Sequence, residues 1–564
     1  MEDTPSHLEG LTEEPPHEFE DLSDSHITEE ILKKCCGYGP FQKKLTIFVL
    51  IYAIFDGLSV LTLVFIREPI PFGCYPTNFN KSLIPPNIAL EKFLDNITVE
   101  EDKCSVYNLD IEGGFYALPT SNMTKGPCNN GRKFYTKFGL SSIMSEFDLA
   151  CEREWMNNFA ISVMFGGVLV GGFVFGLISD KFGRFKTFLI GEMVFMVALL
   201  IRIHSPNYAV FAIMYFMEGF GEAGTYPVIY TLLLECVTKN HRMPLNFLIH
   251  GCFALGEMLV SGMAYVFHEW KDLLFVTGFP HLLLFIIALI YLPESPRWQL
   301  YKGRFEEAEK TFNKIARTNK RGTVNTGHIL HEFRREAESK IKFNVDVMEN
   351  INVGKKAKHR LKKKSRTAID LLKKPRRAIL SVIIWFNWFV NSLIYYGVTL
   401  NSVDMSGNQY INYLMMVAIE IPANIIGFLT FRWFGHRTPI IFFMVFGGIN
   451  CIVSNFVPKA NSWFPLILAV LGKLGATASF DGIYLASTEV FPTVVRNSGV
   501  GTSTSFARLG SLIAPLVLEL TIYSSWLPLT VYGVLGILGG LLILSLPDMK
   551  DICLPQTFED MDYL

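Results

Sequence analysis

The chain has 564 residues, of which 50% are hydrophobic, 13% aromatic and only 18% charged, with a formal net charge of −1. Soluble domains carry about 25% charged residues, so this chain is short of charge and rich in apolar side chains, 47 Phe among them. Collagen, intrinsic disorder, small disulfide scaffolds and a basic nucleic-acid binder are excluded, and apolar runs of about 20 residues identify an integral membrane protein.

Residues 1–44 are polar and acidic, with 4 basic against 11 acidic side chains, and lack the pattern of a signal peptide. A bilayer core of about 30 Å needs roughly 20 apolar residues of helix, because no water is present to satisfy an open backbone. Twelve spans are predicted, near 45–66, 156–178, 187–204, 208–235, 245–267, 272–292, 378–400, 409–430, 438–457, 462–486, 498–520 and 526–546. The long loop 67–154 between the first two holds all three Asn-x-Ser/Thr sequons, at Asn80, Asn96 and Asn122, and therefore reads as extracellular. It also holds Cys74, Cys104, Cys128 and Cys151, which read as two disulfides with three possible connectivities. No Cys/His spacing suggests a metal site, and no cofactor is called for.

Short loops set the orientation. Lys181, Arg184 and Lys186, then Lys239 and Arg242, then Arg432 and Arg437 fall in alternate loops, while 205–207, 401–407 and 521–525 carry no Lys or Arg. Both termini are therefore expected in the cytoplasm. The second long loop, 293–376, is then cytoplasmic and carries 23 Lys/Arg against 10 Asp/Glu, with eight basic residues in the twelve from Lys355 to Arg366. Beside an anionic leaflet this reads as a solvated basic loop, with lipid-headgroup binding or phosphorylation at Ser365 or Thr367 as the sharper reading. The expected division is an N-terminal tail 1–44, a six-helix bundle 45–292, the loop 293–376, a second bundle 377–546 and a tail 547–564.

An internal repeat supports two bundles. Span four ends Glu235-Cys-Val-Thr-Lys-Asn-His-Arg242 and span ten ends Glu489-Val-Phe-Pro-Thr-Val-Val-Arg496, an acid seven residues before an arginine each time, offset by 254 residues. The same offset pairs Tyr226 with Phe480 and Tyr230 with Tyr484. A weaker echo links Gly176–Arg184 to Gly427–Arg437.

These motifs resemble the major facilitator superfamily and, within it, the organic cation, carnitine and organic anion transporter family. The resemblance rests on Gly176-Leu-Ile-Ser-Asp-Lys-Phe-Gly-Arg184, with Phe185 where a further basic residue is usual. It rests also on Pro293-Glu-Ser-Pro-Arg-Trp298, Gly303–Glu309, Ser145–Cys151, Glu420-Ile-Pro-Ala423, Pro492–Asn497 and Leu554–Asp560. The implied fold is all-α, twelve transmembrane helices in two pseudo-symmetric six-helix bundles. The implied activity is alternating access at the plasma membrane, with a small organic ion as the partner and no enzymatic step. Asp180, Arg184, Glu235, Arg242, Glu489 and Arg496 would then gate the cytoplasmic side by pairing across bundles, or else only fix topology.

Ionisable groups inside a span cost roughly 2.5–3.5 kcal/mol each, so they normally face a cavity or a partner. Asp56, Glu218, Glu222, Lys473 and Asp481 lie in spans that line the central cavity of a facilitator, and Tyr226 and Tyr230 continue the Glu218–Glu222 face. Acid with aromatic surface suits an organic ammonium through cation–π contact of about 0.5–2 kcal/mol. By resemblance Tyr226, Trp388, Tyr395, Phe480 and Asp481 match cavity positions, and Asn391 replaces an aspartate found in some cation members. Arg508 stands where pure cation members have aspartate and carnitine-type and anion members have arginine; its fork suits a carboxylate. The expected substrate is a cation or carnitine-like zwitterion, contacting Asp56, Glu222, Tyr226, Tyr230, Trp388, Asn391, Tyr395, Phe480, Asp481, Tyr484 and Arg508. An organic anion carrier using Arg508, or a non-transporting receptor-like member, is the alternative. His250 and Glu257 could join a proton relay, and coupling to sodium or protons stays open.

Overall fold

The computed structural model describes residues 32–33, 37–76, 79–85, 87–99, 103–109, 111–112, 115–116, 124–135, 140–320, 368–405, 407–457, 463–492, 495–548, 555 and 558–563. Asn122, the basic stretch 355–366, Ser365, Thr367 and most of the N-terminal tail lie outside them. A helix stands at each of the twelve predicted spans. In the first half these are α1 (Pro40–Val60), α2 (Trp155–Phe182), α3 (Arg184–Ile203), α4 (Tyr208–Glu222 with Tyr226–Cys236), α5 (Lys239–Val266) and α6 (Trp270–Tyr291). The second half has α7 (Pro375–Asn401), α8 (Gln409–Ala418 with Glu420–Phe434), α9 (Arg437–Val453), α10 (Trp463–Val490), α11 (Arg496–Leu518) and α12 (Leu527–Ile543).

Among the described residues, nine helices are long and apolar enough to cross a bilayer by composition alone. The other three have local reasons. Arg184, Lys186, Glu192 and Arg202 interrupt α3, Ala223–Thr225 break α4 into two pieces, and α12 is 17 residues long. At the α4 break the Thr225 hydroxyl donates to the Glu222 carbonyl at 2.8 Å, satisfying a backbone group that the helix leaves free.

The packing repeats with the chain. In the first half α1 packs on α5, α2 and α3 on α4, and α3 on α6; in the second α7 packs on α11, α8 and α9 on α10, and α9 on α12. The halves meet along α2–α11 and α5–α8, the same pair read twice. Glycine sets the closeness of two equivalent crossings. A Cβ on Gly256 of α5 would stand 2.0 Å from the Ile54 carbonyl of α1, and one on Gly510 of α11 would stand 2.2 Å from the Phe389 carbonyl of α7. The two glycines are 254 residues apart, the offset of the sequence repeat.

Burial is inverted relative to a soluble protein. Leu177, Ile290 and Trp433 are exposed on the outer faces, whereas Glu192, Lys473, Arg202 and Glu257 are at most 1% exposed inside. Apolar side chains facing lipid cost nothing there, so the interior is free to hold the charges.

The 67–154 loop folds on itself. Strands Phe72–Cys74 and Arg132–Phe134 pair antiparallel, as do Ser105–Tyr107 with Lys125–Pro127 and Ile111–Glu112 with Phe115–Tyr116. The helix Leu90–Ile97 buries Phe93, Leu94 and Ile97 against Val106 and Tyr116. Of the three connectivities open from sequence, the structure forms Cys74–Cys128 and Cys104–Cys151. At the opposite end Pro296–Tyr301 and Phe305–Thr318 follow α6. The short helix Phe558–Tyr563 sits at the start of α7, with Asp562 paired to Lys374 at 2.7 Å and Arg377 at 2.8 Å.

Enlarging Gly256 should force α1 and α5 apart. Gly256→Val is expected to destabilise the fold by about 1–3 kcal/mol, the usual cost of overpacking. Gly251→Ala, on the same helix with open space around it, should leave the thermal midpoint of the purified protein unchanged.

Candidate substrate cleft and bundle contacts

Among the described residues, most of the charges buried in the spans form three clusters. Within the first bundle, Arg202 of α3 meets Glu218 of α4 at 2.7 Å, and its guanidinium lies 4.1 Å above the Tyr215 ring. Glu192 of α3 accepts from the Tyr52 hydroxyl of α1 at 2.6 Å and lies 2.9 Å from His281 Nδ1 of α6. The third cluster spans both bundles. Tyr395 of α7 donates to Glu420 of α8 at 2.7 Å and lies 3.2 Å from Glu257 of α5, while Lys473 of α10 meets Glu420 at 2.7 Å.

Beside these clusters lies the cleft between the bundles. Asp56 of α1, Glu222 of α4 and Arg508 of α11 are close enough for each carboxylate to feel the guanidinium. Asp56 is buried, whereas Glu222 and Arg508 are half-buried. Among the described residues the Arg508 side chain makes no ion pair. Aromatic residues continue the wall. Tyr226 lies 6.4 Å from Tyr230 and 5.6 Å from Phe253, and Tyr230 lies 6.3 Å from His250. Across the cleft, Trp388 stacks edge-on with Phe480 at 5.3 Å and lies 5.8 Å from Tyr484. Asp481 and Tyr484 are exposed on α10, and Asp481 feels His250 of α5 across the gap.

The structure thus gathers Asp56, Glu222, Tyr226, Tyr230, Phe480, Asp481, Tyr484 and Arg508 along facing helices. Trp388, 2% exposed, lies behind Phe480 and donates to Ser487 at 2.8 Å. Asn391 is fully buried in helix packing: its amide donates to the Asn387 carbonyl and its oxygen accepts from Ser479. Tyr395 belongs to the cross-bundle cluster. Sequence reading passed over Glu192, His281 and the Arg202–Glu218 pairing, and noticed Glu420 only as part of a motif. A count of acids inside apolar runs would have found both carboxylates.

The two ends of the bundle pair differ. At the end bearing the folded loop, contacts cross between bundles. Arg67 after α1 donates to Asp404 at 2.8 Å, to the Leu400 carbonyl at 2.5 Å and to Asn158 of α2 at 3.0 Å. Asn158 donates to Glu519 at 2.5 Å, Gln409 to Glu68 at 2.5 Å, and Ser261 to the Tyr410 carbonyl at 2.8 Å. Burial pushes the Glu68 carboxyl above the usual range, and the Gln409 hydrogen bond opposes that. Phe65 stacks on Tyr410 at 5.6 Å.

At the opposite end the described charge pairs stay within a bundle. Arg184 meets Asp180 and Glu235, each at 3.1 Å, and Glu294 of the Pro-Glu-Ser-Pro-Arg segment accepts from the Arg184 backbone at 2.7 Å. That segment closes over Gly183, whose φ of +105° carries the chain from α2 into α3 and where a Cβ would strike the Glu294 carboxylate. Glu489 meets His436 at 2.9 Å, and Arg496 donates to the Phe491 carbonyl at 3.2 Å. Arg242 sits in the first turn of α5. Of the sequons, Asn80 caps the turn Lys81–Leu83 and Asn96 is exposed on the helix Leu90–Ile97.

Residues 104–551 match the family model described as sugar (and other) transporter. The chain is 31% identical over 535 residues to the organic cation transporter protein of Drosophila melanogaster, covering 94% of each. It is 29% identical to the human organic cation/carnitine transporter 2, covering 93% of this chain and 92% of that one. In fold it is similar to a partially occluded inward-open structure of the Escherichia coli xylose transporter XylE. The TM-score there is 0.59 at 15% identity, over 91% of this chain and 100% of that one.

Loosening the closed end should bias the bundles apart. Charge-assisted hydrogen bonds of this kind are worth about 1.5–3 kcal/mol. Arg67→Ala is therefore expected to speed labelling of a cysteine placed at buried Ser261 by a membrane-impermeant thiol reagent by roughly tenfold or more. A labelling rate equal to that of the Ser261→Cys parent would show that Arg67 holds no closed end.

Proposed function

The chain belongs to the sugar and other transporter family, and from that premise we propose that it is a plasma-membrane carrier of small organic cations or zwitterions. It moves them by alternating access of its two bundles, with both termini and the basic 293–376 loop in the cytoplasm. The observation that carries this reading is the mixed-sign cleft: Arg508, without an ion-pair partner among the described residues, faces Asp56 and Glu222. Asp481 stands exposed beside the aromatic wall. A permanent cation left unpaired within a span is costly, and a substrate carboxylate would relieve that cost. An ammonium on the same substrate would find an acid in Asp481 and aromatic faces in Tyr484 and Tyr230. The relatives named for organic cations and carnitine support the same class.

The orientation follows from the basic residues of alternate loops, which belong on the inner side. The end bearing the disulfide-bonded loop is then the outer one. Arg67, Glu68 and Asn158 close that end against the second bundle, while Asp180, Arg184, Glu235 and Glu489 hold partners within their own bundle, as an inward-facing state requires. In the outward-facing state the outer contacts break and the inner charges approach their counterparts. Substrate binding favours whichever state holds its charges better, and transport needs only that both states be reachable.

A second reading, an organic anion carrier, draws on the same unpaired Arg508. Uptake of carnitine, tetraethylammonium and benzoate into one cell line separates the two. Carnitine and tetraethylammonium should enter saturably, and Asp481→Asn should weaken both. Arg508→Ala should raise the carnitine KM by about 10- to 150-fold, with the tetraethylammonium KM little changed, since a charge-assisted carboxylate contact is worth about 1.5–3 kcal/mol. Saturable uptake of benzoate alone, indifferent to Asp481→Asn, would establish the anion carrier instead. Surface-expressed protein that accumulates none of the three would favour a receptor-like member.

A further inference from the structure

Glu257 and Glu420 come from different bundles and lie together in the interior, 1% and 6% exposed. Their carboxyl groups share one hydroxyl, that of Tyr395, and lie within electrostatic range of each other. Around them the Tyr395 hydroxyl lies 2.7 Å from Glu420 and 3.2 Å from Glu257, and Lys473 Nζ lies 2.7 Å from Glu420 and 4.4 Å above the Tyr395 ring. The phenol supplies one proton, directed at Glu420, and the cluster contains one ammonium for two carboxyl groups.

The remaining titratable groups do not supply a second permanent cation. Tyr226 of α4, Tyr396 of α7 and Tyr413 of α8 face the pair as phenols, and Asp481 of α10 adds a further acid, itself beside His250 of α5. The Tyr413 hydroxyl is fully buried, has no hydrogen-bond partner among the described residues and lies within electrostatic range of both carboxyls. Two carboxylates this close in a low-dielectric interior cannot both stay ionised, because one of them would lack any counter-charge. A shared proton completes the set: it gives one carboxyl a donor, and it leaves one anion for Lys473.

We propose that Glu257 and Glu420 form a proton-binding site divided between the bundles, in which a single proton bridges the two carboxyls while α5 lies against α8 and departs when the bundles separate. The products of separation differ. Glu420 keeps Tyr395 and Lys473, which belong to its own bundle, and remains the anion of an intact ion pair. Glu257 loses all three neighbours at once, becomes hydrated and gives its proton to water. Closing the outer end therefore takes up one proton from the outer solution and opening it returns one there, so the outer pH sets how readily that end closes.

Two measurements on the full-length protein test this. Infrared difference spectra of the purified protein in lipid, at neutral pH, should show a buried protonated-carboxyl band that shifts in D2O. It should be absent in Glu257→Gln, displaced in frequency in Tyr395→Phe and unaltered in Glu306→Gln, at an exposed carboxylate of the helix Phe305–Thr318. Identical spectra for the parent, Glu257→Gln and Tyr395→Phe would overturn the site; should Glu257→Gln fail to fold, the Tyr395→Phe displacement decides alone. The second measurement, which rests on the carrier reading, is the initial rate of uptake of carnitine and tetraethylammonium into proteoliposomes at a lower and a higher outer pH, the inner pH held fixed. The initial rate should change by up to about tenfold per unit of outer pH in the parent, the limit for one linked proton, and not at all in Glu257→Gln. Parent uptake indifferent to the outer pH would overturn the link between the proton site and the outer end. If the parent moves neither probe, the carrier reading falls while the spectra still decide the proton site.

Discussion

A charge inside a membrane protein has to find a partner, and the whole interior is arranged by that requirement. Desolvating a single ionised group costs more than most local interactions return, so most of the described buried charges are matched within hydrogen-bonding distance, and the others gather at the cleft. Three kinds of solution occur. Arg202 with Glu218, and Glu192 with Tyr52 and His281, are matched inside one bundle and hold its helices in register. Glu257 is matched only by residues of the other bundle. Arg508 faces the cleft with acids nearby but, among the described residues, none in ion-pair contact. The first kind gives rigidity, the second ties conformation to protonation, and the third leaves a place for a substrate.

Rigid bundles need close helices, and close helices need small residues where backbones cross. Gly256 and Gly510 provide this at equivalent crossings, α5 on α1 and α11 on α7. The contacts between bundles, by contrast, are made by long polar side chains such as Arg67, Gln409 and Asn158, which can exchange a protein partner for water at modest cost. Stiffness within a bundle and exchangeable contacts between bundles are what a rocking motion requires.

Much of this was legible in the sequence. Apolar run length located all twelve helices, because a bilayer imposes one length on every span. The 254-residue offset reported the duplication that the packing repeats. The cleft residues on α4, α10 and α11 were legible because charges in apolar runs are rare enough to count. What escaped has physical reasons. Asn391 reads as a cavity residue by position, yet helix rotation turns it into packing with Ser479 and Asn387. Glu420 sits in a motif that drew attention as a pattern rather than as a charge, and its meaning depends on Glu257, 163 residues away along the chain. Disulfide connectivity was open for the same reason: it is a property of the folded loop and not of cysteine spacing.

Apart from Arg67 and Glu68 at its start, which meet the second bundle, the folded 67–154 loop has its described covalent and ionic ties to the first bundle. Cys104 joins Cys151 at the threshold of α2, Lys271 of α6 pairs with Glu146, and Ser141 accepts a hydrogen bond from the backbone of Trp270. Once the Arg67 and Glu68 contacts are broken, these ties carry it as a cap with the first six helices. Any rotation of that bundle is magnified into a sweep of the cap above the bilayer. An antibody fragment bound to the cap would make this sweep visible as a change in angle against the membrane plane, without a label placed anywhere near the cleft.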